Sequence, residues 1–326
     1  MSSDFPLTQD SHGTAVVDLQ RRLVAANLLA HDAYVDGVYC VRTVEVVAEF
    51  QKLRGLPITG ACDHFTWTTL VESSWVLGSR LLYLTSPHMR GDDVRAMQTV
   101  LAKLGFDCGR ADGIFGPHTL QALTEFQQNY GITADGICGV NSIRALERTS
   151  SQSGEGPGIV TVREYETLLA ASVNAERPRI VIGCFGDSTR LTRLLVRELR
   201  NRGDDVMTIE NADPHSHART ANSFNADLYF GVSLASTNSL HFAFYETDSF
   251  TSAGGRVAAE LCVEHVRALN NSMTIGLGGM QLPVLRETRM PAVLFTIESV
   301  GDDKDAFDIV SALAKAISQW SDQPLA

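Results

Sequence analysis

The first 148 residues contain an internal repeat, and this repeat most constrains the fold of the chain. The segment DGVYC at residues 36–40 matches DGIFG at residues 112–116, an offset of 76 residues. The same offset relates Thr43 to Thr119, Phe50 to Phe126, Gln51 to Gln127, Gly60 to Gly136, Cys62 to Cys138 and Leu70 to Leu146. Two copies of one small fold therefore open the chain. We expect them to pack on each other, because a unit of this size buries little apolar surface alone.

Each copy has the periodicity of three helices. Apolar residues of the second copy recur at helical spacing in three groups: Val94, Met97, Leu101 and Leu104; Leu120, Leu123 and Phe126; Ile143 and Leu146. Asp-Gly turns separate these groups, and Gln20 of the first copy matches Gln98 of the second. The sequence thus predicts two small all-α repeats, at residues 10–75 and 86–148.

The turn motif of these repeats resembles that of a known domain. The second copy reads DGIFGPHT, then FQ, then a second Asp-Gly at residues 135–136. This order resembles the small three-helix type of peptidoglycan-binding domain. The first copy departs from it, with Cys40 at the loop glycine and Thr59 at the second aspartate. The resemblance implies a glycan or partner loop in the second copy, formed by Asp112, Gly113, Phe115, Gly116 and Thr119.

A change of pattern marks a second domain. Residues 149–160 begin with TSSQSGEGPG and have the composition of a linker. From residue 179 onward, apolar runs typical of buried strands alternate with amphipathic helices. The predicted strands are residues 179–185, 206–210, 228–234, 241–246 and 292–298. Residues 175–326 are therefore predicted to form an α/β domain with a mostly parallel sheet, and the glycine-rich segment 276–279 to be a loop.

Three segments of this second domain resemble zinc-dependent N-acetylmuramoyl-L-alanine amidases. They are RIVIGCFGD, HARTANSFNADLYFGVSLASTNS and LRETRMPAVLFTIESV. Within the second segment, Arg219 and Asn222 match an R-x-x-N helix of that family. The resemblance implies an amidase-like fold in which two histidines and a glutamate hold a catalytic zinc. A further glutamate moves protons for the metal-bound water.

The residues at the zinc and catalytic positions differ from the family pattern. Gly186 stands at the first histidine, Ala235 at the second and Thr296 at the catalytic glutamate. The loop that carries the glutamate ligand is shortened, with Asp187 as its carboxylate. Glycine, alanine and threonine do not supply the imidazole or carboxylate ligands that zinc requires. We therefore predict a pseudoenzyme with no catalytic residue, metal or cofactor. Its former cleft is formed by Gly186, Asp187, Ala235, Thr296, Glu298, Arg219 and Asn222.

A rebuilt zinc site is the alternative. Glu298 lies two residues after Thr296 and so points to the same face of its strand. The candidate nitrogen ligands are His215, His217 and His241. The simpler interpretation is that the His-Ser-His segment lies in a surface loop and that Glu298 pairs with an arginine, because a zinc site needs three ligands at fixed geometry.

Four arginines follow one face of a predicted helix. They lie at helical spacing opposite a leucine face and are Arg190, Arg193, Arg197 and Arg200. One interpretation is a solvated helix surface, since such surfaces are commonly charged. The other is a docking edge for an acidic protein partner, since arginine is favoured at interfaces.

Charge and hydropathy narrow the classes of function. The net charge of −11 disfavours binding to nucleic acid or to an anionic membrane. The N-terminal segment lacks the basic and apolar regions of a signal peptide, and no apolar run reaches the length of a membrane span. The six cysteines form no CxxC pair, which favours reduced thiols. We therefore expect a cytoplasmic protein.

The combination of two peptidoglycan-binding-like repeats, an amidase-like domain and no export signal resembles the actinobacterial amidase-like regulators of peptidoglycan precursor synthesis. The resemblance implies a cytoplasmic regulator that binds and activates MurA, the UDP-N-acetylglucosamine enolpyruvyl transferase. It also implies contacts with the lipid II flippase and a forkhead-associated protein, and phosphorylation by a Ser/Thr kinase. Two alternatives stay open: a zinc amidase with rewired ligands, and a sensor that binds muropeptides, UDP-sugars or, weakly, peptidoglycan fragments.

Overall fold

The computed structural model divides the chain into two compact units. The first comprises Met1–Val160 and the second Thr161–Ala326. The structure describes residues 5–29, 35–150, 159–173, 178–235, 239–248, 250–269, 274–298 and 303–325. Side chains at residues 171–173, 235, 239, 298, 303 and 304 lie outside this description.

The first unit consists of the two predicted three-helix repeats. The helices are α1 Thr14–Ala25, α2 Val41–Leu53, α3 His64–Ser73, α4 Asp92–Lys103, α5 Pro117–Tyr130 and α6 Val140–Ser150. Each repeat buries its own apolar cluster, centred on Phe50 in the first and on Phe126 in the second. Each repeat therefore has its own core. An ion pair from Arg54 to Asp92, at 2.8 Å, joins the repeats.

A buried glutamine holds each glycine turn of the repeats. Four such side chains are at most 2% exposed: Gln20, Gln51, Gln98 and Gln127. In each case Oε1 accepts from the amide of a glycine with positive φ, at Gly37, Gly60, Gly113 or Gly136. Nε2 donates to the side chain before that glycine and to the carbonyl after it. We call each arrangement a glutamine clamp.

The second unit is a sheet covered by helices on both faces. Its strands are β1 Arg179–Cys184, β2 Asp205–Glu210, β3 Leu228–Ala235, β4 Ser239–Thr247, β5 Phe250–Thr251, β6 Thr274–Met280 and β7 Ala292–Glu298. Its helices are α7 Ile159–Val173, α8 Thr189–Asn201, α9 Pro214–Phe224, α10 Ala253–Arg267, α11 Pro283–Glu287 and α12 Asp303–Asp322. The strand order is β2-β1-β3-β7-β4-β5, with β6 paired to β4. Only β4 with β7 and β4 with β5 pair in antiparallel fashion among the described strands, so the predicted mostly parallel α/β fold is confirmed.

Alternation along the strands divides the core into two layers. Phe230, Phe242 and Phe295 point to the layer under α8, α10 and α12. Tyr229 and Tyr245 point to the smaller layer under α9 and α11. The two faces are unequal because the chain supplies long amphipathic helices to one side and short ones to the other.

Two expectations about segments need correction. The glycine-rich segment 276–279 is part of strand β6 rather than a loop, because Gly276 and Gly278 pair with β4 and leave space for its side chains. The proposed linker, residues 149–160, overlaps the end of α6 and the start of α7; residues 151–158 lie outside the described part. Helix α7 also contributes Leu168 to the core of the second unit.

Candidate functional site: the carboxyl edge of the sheet and the surface of helix α8

Four of the predicted cleft positions, Gly186, Ala235, Thr296 and Glu298, lie at the carboxyl edge of three neighbouring parallel strands. Residue Thr296 of β7 pairs with Ser233 of β3, and Glu298 pairs with Ala235. The backbone after β1 joins them, because the amide of Phe185 donates to the carbonyl of Val232 at 3.0 Å. This edge is where open α/β sheets place their ligands, so the chain retains the location of a site.

A short 3-10 turn replaces a longer loop after β1. Gly186 has φ of +59°, and both it and Asp187 are exposed. Ser188 is buried, and its hydroxyl donates to the carbonyl of Val232 at 2.9 Å. Helix α8 begins at the next residue. The turn is therefore fastened to β3, and Asp187 faces outward along α8, where it lines a cavity.

The donor groups at this edge do not fit a catalytic zinc. Gly186 and Thr296 offer neither an imidazole nor a carboxylate, and alanine at position 235 offers no donor. Among the described side chains, no three His, Cys, Asp or Glu groups lie close enough to hold a metal ion.

Two cysteines of the second repeat are also poor metal ligands. Burial raises the pKa of Cys108 and Cys138 to about 12, so these are protonated thiols rather than thiolates.

His217 is buried, so its predicted position in a surface loop is wrong. It lies in the first turn of α9, where Asp213 caps the helix, and its ring stacks on Phe185 with centroids 4.2 Å apart. Nε2 lies 2.9 Å from the carbonyl of Asn211, and Nδ1 lies 2.7 Å from the Tyr229 hydroxyl. A carbonyl only accepts, so Nε2 carries the proton and Nδ1 accepts from the tyrosine. Burial lowers the pKa of His217, which keeps the ring neutral.

A glycine makes room for this histidine. A Cβ atom at Gly183 would collide with both the Tyr229 hydroxyl and His217 Nδ1. Burial also raises the pKa of Tyr229 well above its usual value, so the phenol remains a donor. The two rings and the glycine form a closed hydrogen-bonded packing unit. It uses both nitrogens of His217, which removes the histidine from the set of free metal ligands.

The other residues of α9 hold α11 in place. Asn222 Nδ2 donates to the carbonyl of Glu287 at 2.8 Å, and Asn222 Oδ1 accepts from the amide of Arg289 at 2.9 Å. His215 Nδ1 lies 2.9 Å from the Glu287 carboxylate. Arg219 is exposed and reaches Asp213 at 3.4 Å. Asn222 therefore acts as a structural bridge, whereas Arg219 is available to solvent.

His241 lies on the same edge, on β4. It pairs in register with Thr296 of β7 and with Gly276 of β6. The ring is half-buried over Gly276, where a Cβ atom would contact it. Burial lowers the pKa of His241. The structure thus brings His241 near Thr296 but keeps His215 and His217 in other contacts.

The predicted glycan loop of the second repeat is largely a structural element. Asp112 Oδ1 accepts from Gln98 Nε2 at 2.9 Å and from the amide of Ile114 at 2.8 Å. Phe115 and Thr119 are fully enclosed, and Thr119 accepts from Gln98. Their side chains are part of the core and of the clamp, so neither is exposed at the surface of the loop. Gly116 begins α5 and remains partly exposed.

The four arginines of α8 are all exposed and form what we call the arginine face. Arg200 donates to the carbonyl of Val206 at 2.9 Å. Arg193 and Arg197 line two cavities that flank the helix. The first, of about 710 Å³, also contains Phe307 of α12; the second, of about 420 Å³, contains Glu210 of β2. Phe307 was not identified from the sequence.

No helix in the described part of the chain has the length and apolar character needed to cross a bilayer.

Comparisons with known proteins find relatives of the two repeats and of the chain as a whole. The family described as "Putative peptidoglycan binding domain" matches residues 12–70 and 90–146. N-acetylmuramoyl-L-alanine amidase CwlM of Mycobacterium tuberculosis is 29% identical over 91% of this chain and 82% of that protein. N-acetylmuramoyl-L-alanine amidase CwlL of Bacillus licheniformis is 33% identical over 43% of this chain, which spans less than half of that protein.

Among solved structures, N-acetylmuramoyl-L-alanine amidase AmiC2 of Nostoc punctiforme covers 44% of this chain and 96% of its own, with 13% identity and a TM-score of 0.35. The sequence relatives give the stronger likeness. The chain is therefore similar to CwlM over most of its length, and both of its repeats match the peptidoglycan-binding family model.

Proposed function

We propose that this chain is a non-catalytic, cytoplasmic regulator of peptidoglycan precursor synthesis that binds and activates MurA. One observation carries the proposal. The strand ends that should hold a zinc instead present Gly186, Ala235 and Thr296. An amidase of this type needs three metal ligands and a proton-transfer group. A chain that keeps the fold without them acts through its surfaces.

The packing of the second unit supports this proposal. The neutral His217 and its partner Tyr229 are locked together, and Asn222 bridges α9 to α11. These contacts use the polar groups of His217, Tyr229 and Asn222 within the fold. The partner itself comes from the resemblance to the amidase-like regulators, as do the flippase, the forkhead-associated protein and the kinase.

MurA kinetics test the proposal directly. Turnover of UDP-N-acetylglucosamine by purified MurA is measured with the full chain, both untreated and treated with a Ser/Thr kinase, and with an equal mass of albumin as control. We expect at least one form of the chain to raise turnover and to bind MurA in calorimetry. If neither form binds MurA or changes its turnover, the proposal is wrong.

Zinc content separates the regulator from an amidase, the activity named in CwlM and CwlL. The untagged protein is dialysed against zinc and then buffer, and its metal is measured by elemental mass spectrometry. We expect well under one zinc per chain. About one tightly held zinc, lost in His241→Ala, would establish a rewired site.

The match of both repeats to the peptidoglycan-binding family favours one second candidate, a sensor of muropeptides or UDP-sugars. Calorimetry with a purified muropeptide tests it. Because Asp112 is part of a clamp, its replacement would disturb the fold, and Arg219→Ala is the cleaner variant for the cleft. Saturable binding that Arg219→Ala weakens would support a sensor that uses the former cleft.

A further inference from the structure

We infer that the arginine face of α8 is a docking surface for an acidic helical segment of a protein partner. The inference deepens the proposed function, because a regulator needs a contact surface. Its test uses a synthetic peptide and does not depend on MurA, so the two can fail separately.

The charges of the arginine face are regularly spaced along α8. The arginine face begins at Arg190 and ends at Arg200, so at 1.5 Å per residue it extends for roughly 15 Å along the helix. All four arginine residues are exposed. Arg193 and Arg197 are four residues apart, which places them about 6 Å from each other on one side of the helix. Carboxylates at i and i+4 of a partner helix have the same spacing.

The two central arginines of this face have no bonding partner among the described residues. Within the part of the chain that the structure describes, Arg193 and Arg197 make no ion pair or hydrogen bond. The carboxylate on the same helix, Glu198, pairs instead with Arg202 at 3.2 Å. In a chain with net charge −11, two adjacent unpaired arginines form a local positive centre. Arginine in this setting gives both charge and planar hydrogen-bonding geometry to a carboxylate.

An apolar surface lies beside these charges. Phe307 is 52% exposed and lines the larger cavity together with Leu194. An exposed aromatic ring next to arginine is the composition enriched at the centre of protein interfaces. The occupant therefore carries an apolar side chain between its carboxylates, as one face of an amphipathic acidic helix does.

Carboxylates also border the arginine face. Asp187 lines the larger cavity and Glu210 lines the smaller one. The occupant is therefore expected to place its own carboxylates against Arg193 and Arg197 and away from these two acidic residues.

A phosphate compound fits less well. Phosphate sites converge several donors or backbone amides on one point, commonly at a glycine-rich loop. Here the arginines are spread along the outer side of α8 from its first turn to its last, and each cavity is bordered by a carboxylate. The observations therefore favour an extended peptide over a compact anion.

The experiment measures binding of a fluorescent 15-residue helical peptide that carries glutamates at i and i+4 and a leucine between them. A second peptide has glutamine in place of each glutamate. Anisotropy is read with the full-length chain, with Arg193→Gln/Arg197→Gln, and with Arg256→Gln/Arg267→Gln. The last is the matched control, because it removes the same charge from α10, which lines neither cavity.

We expect the acidic peptide to bind the unmodified chain in the micromolar range and the glutamine peptide not to bind. We expect the α8 double variant to weaken binding at least about tenfold, as loss of an interface arginine does, and the α10 variant to change it less than about twofold. Phe307→Ala should also weaken binding without changing its salt dependence.

Three results would overturn the inference. The first is no binding of the acidic peptide at concentrations up to about 1 mM. The second is equal loss in the α8 and α10 variants, which would mean a bulk charge effect. The third is displacement of the peptide by UDP-N-acetylglucosamine that itself depends on Arg193 and Arg197, which would make the surface a nucleotide-phosphate site.

Discussion

Replacing one buried glutamine tests the clamp that holds the Asp-Gly turn. Gln98 is 1% exposed; its Oε1 accepts from the Gly113 amide at 2.7 Å, and its Nε2 donates to three oxygens. In Gln98→Leu, the buried Gly113 amide loses its acceptor and the carbonyl of Ile114 loses a donor. An unsatisfied buried group costs about 1–3 kcal/mol. Because the turn can rearrange and admit water, we expect the free energy of opening to fall by about 2–4 kcal/mol.

Hydrogen exchange in the full chain measures this change locally. A peptide fragment that covers residues 110–116 reports the opening of the turn, and a loss of 2–4 kcal/mol predicts exchange roughly 30- to 900-fold faster. Gln121→Leu is the matched control. That side chain is exposed, and its bond to Glu125, one turn along the same helix, is worth at most about 0.5 kcal/mol. Unchanged exchange at 110–116 in Gln98→Leu would refute the reasoning.

Three further predictions follow from the packing of the second unit and from the titrating groups. Gly183→Ala should lower the free energy of unfolding by about 1–3 kcal/mol in denaturant titration, because the added Cβ meets His217 and Tyr229; an unchanged midpoint would contradict the close contact. The pKa of His217 is lower in the folded state than in the unfolded state. The stabilisation that the neutral ring gives to the fold is therefore complete above about pH 6.5 and is lost as the pH falls through the folded-state pKa. His217→Gln should make the melting temperature depend less on pH over this range, as measured in thermal melts. The pKa of Asp135 is lowered by its hydrogen bonds from the amide of Ile137 and from Gln127. Asp135→Asn should therefore reduce the loss of stability that the second repeat shows below about pH 4. An ordinary pKa for the Asp135 carboxyl in an NMR titration would contradict this.

The regular parts of the fold could be predicted from the sequence because each had a strong local pattern. The repeat offset and the 3.6-residue spacing gave both three-helix units, and apolar runs gave the long strands. Strand β6 could not be recognised, because TIGLGGM lacks the β-branched alternation of a strand. It is a strand because β4 supplies its hydrogen bonds and its glycines admit His241, which are facts of tertiary structure.

For the candidate site, the positions at the sheet edge could be predicted from the sequence, but the burial of His217 could not. Strand order brings Gly186, Ala235 and Thr296 to one edge, as parallel strands require. The fate of His217 depended on Tyr229 and on the absence of a side chain at Gly183, two residues in other strands. No pattern within the His-Ser-His segment contains this information. The glutamine clamps, by contrast, were detectable, since Gln20 and Gln98, and Gln51 and Gln127, are matched in the repeat alignment.

The glutamine clamps also bear on how such domains are recognised. Four turns use one amide side chain to satisfy a left-handed glycine and the residues on either side of it. The Asp-Gly and Phe-Gln pairs, which form the signature of the domain, thus make hydrogen bonds that hold the fold together. A group of related domains can therefore keep this signature while the exposed residues change to bind a different partner. A signature match then records ancestry and architecture, and the ligand has to be sought among the residues that the signature leaves out.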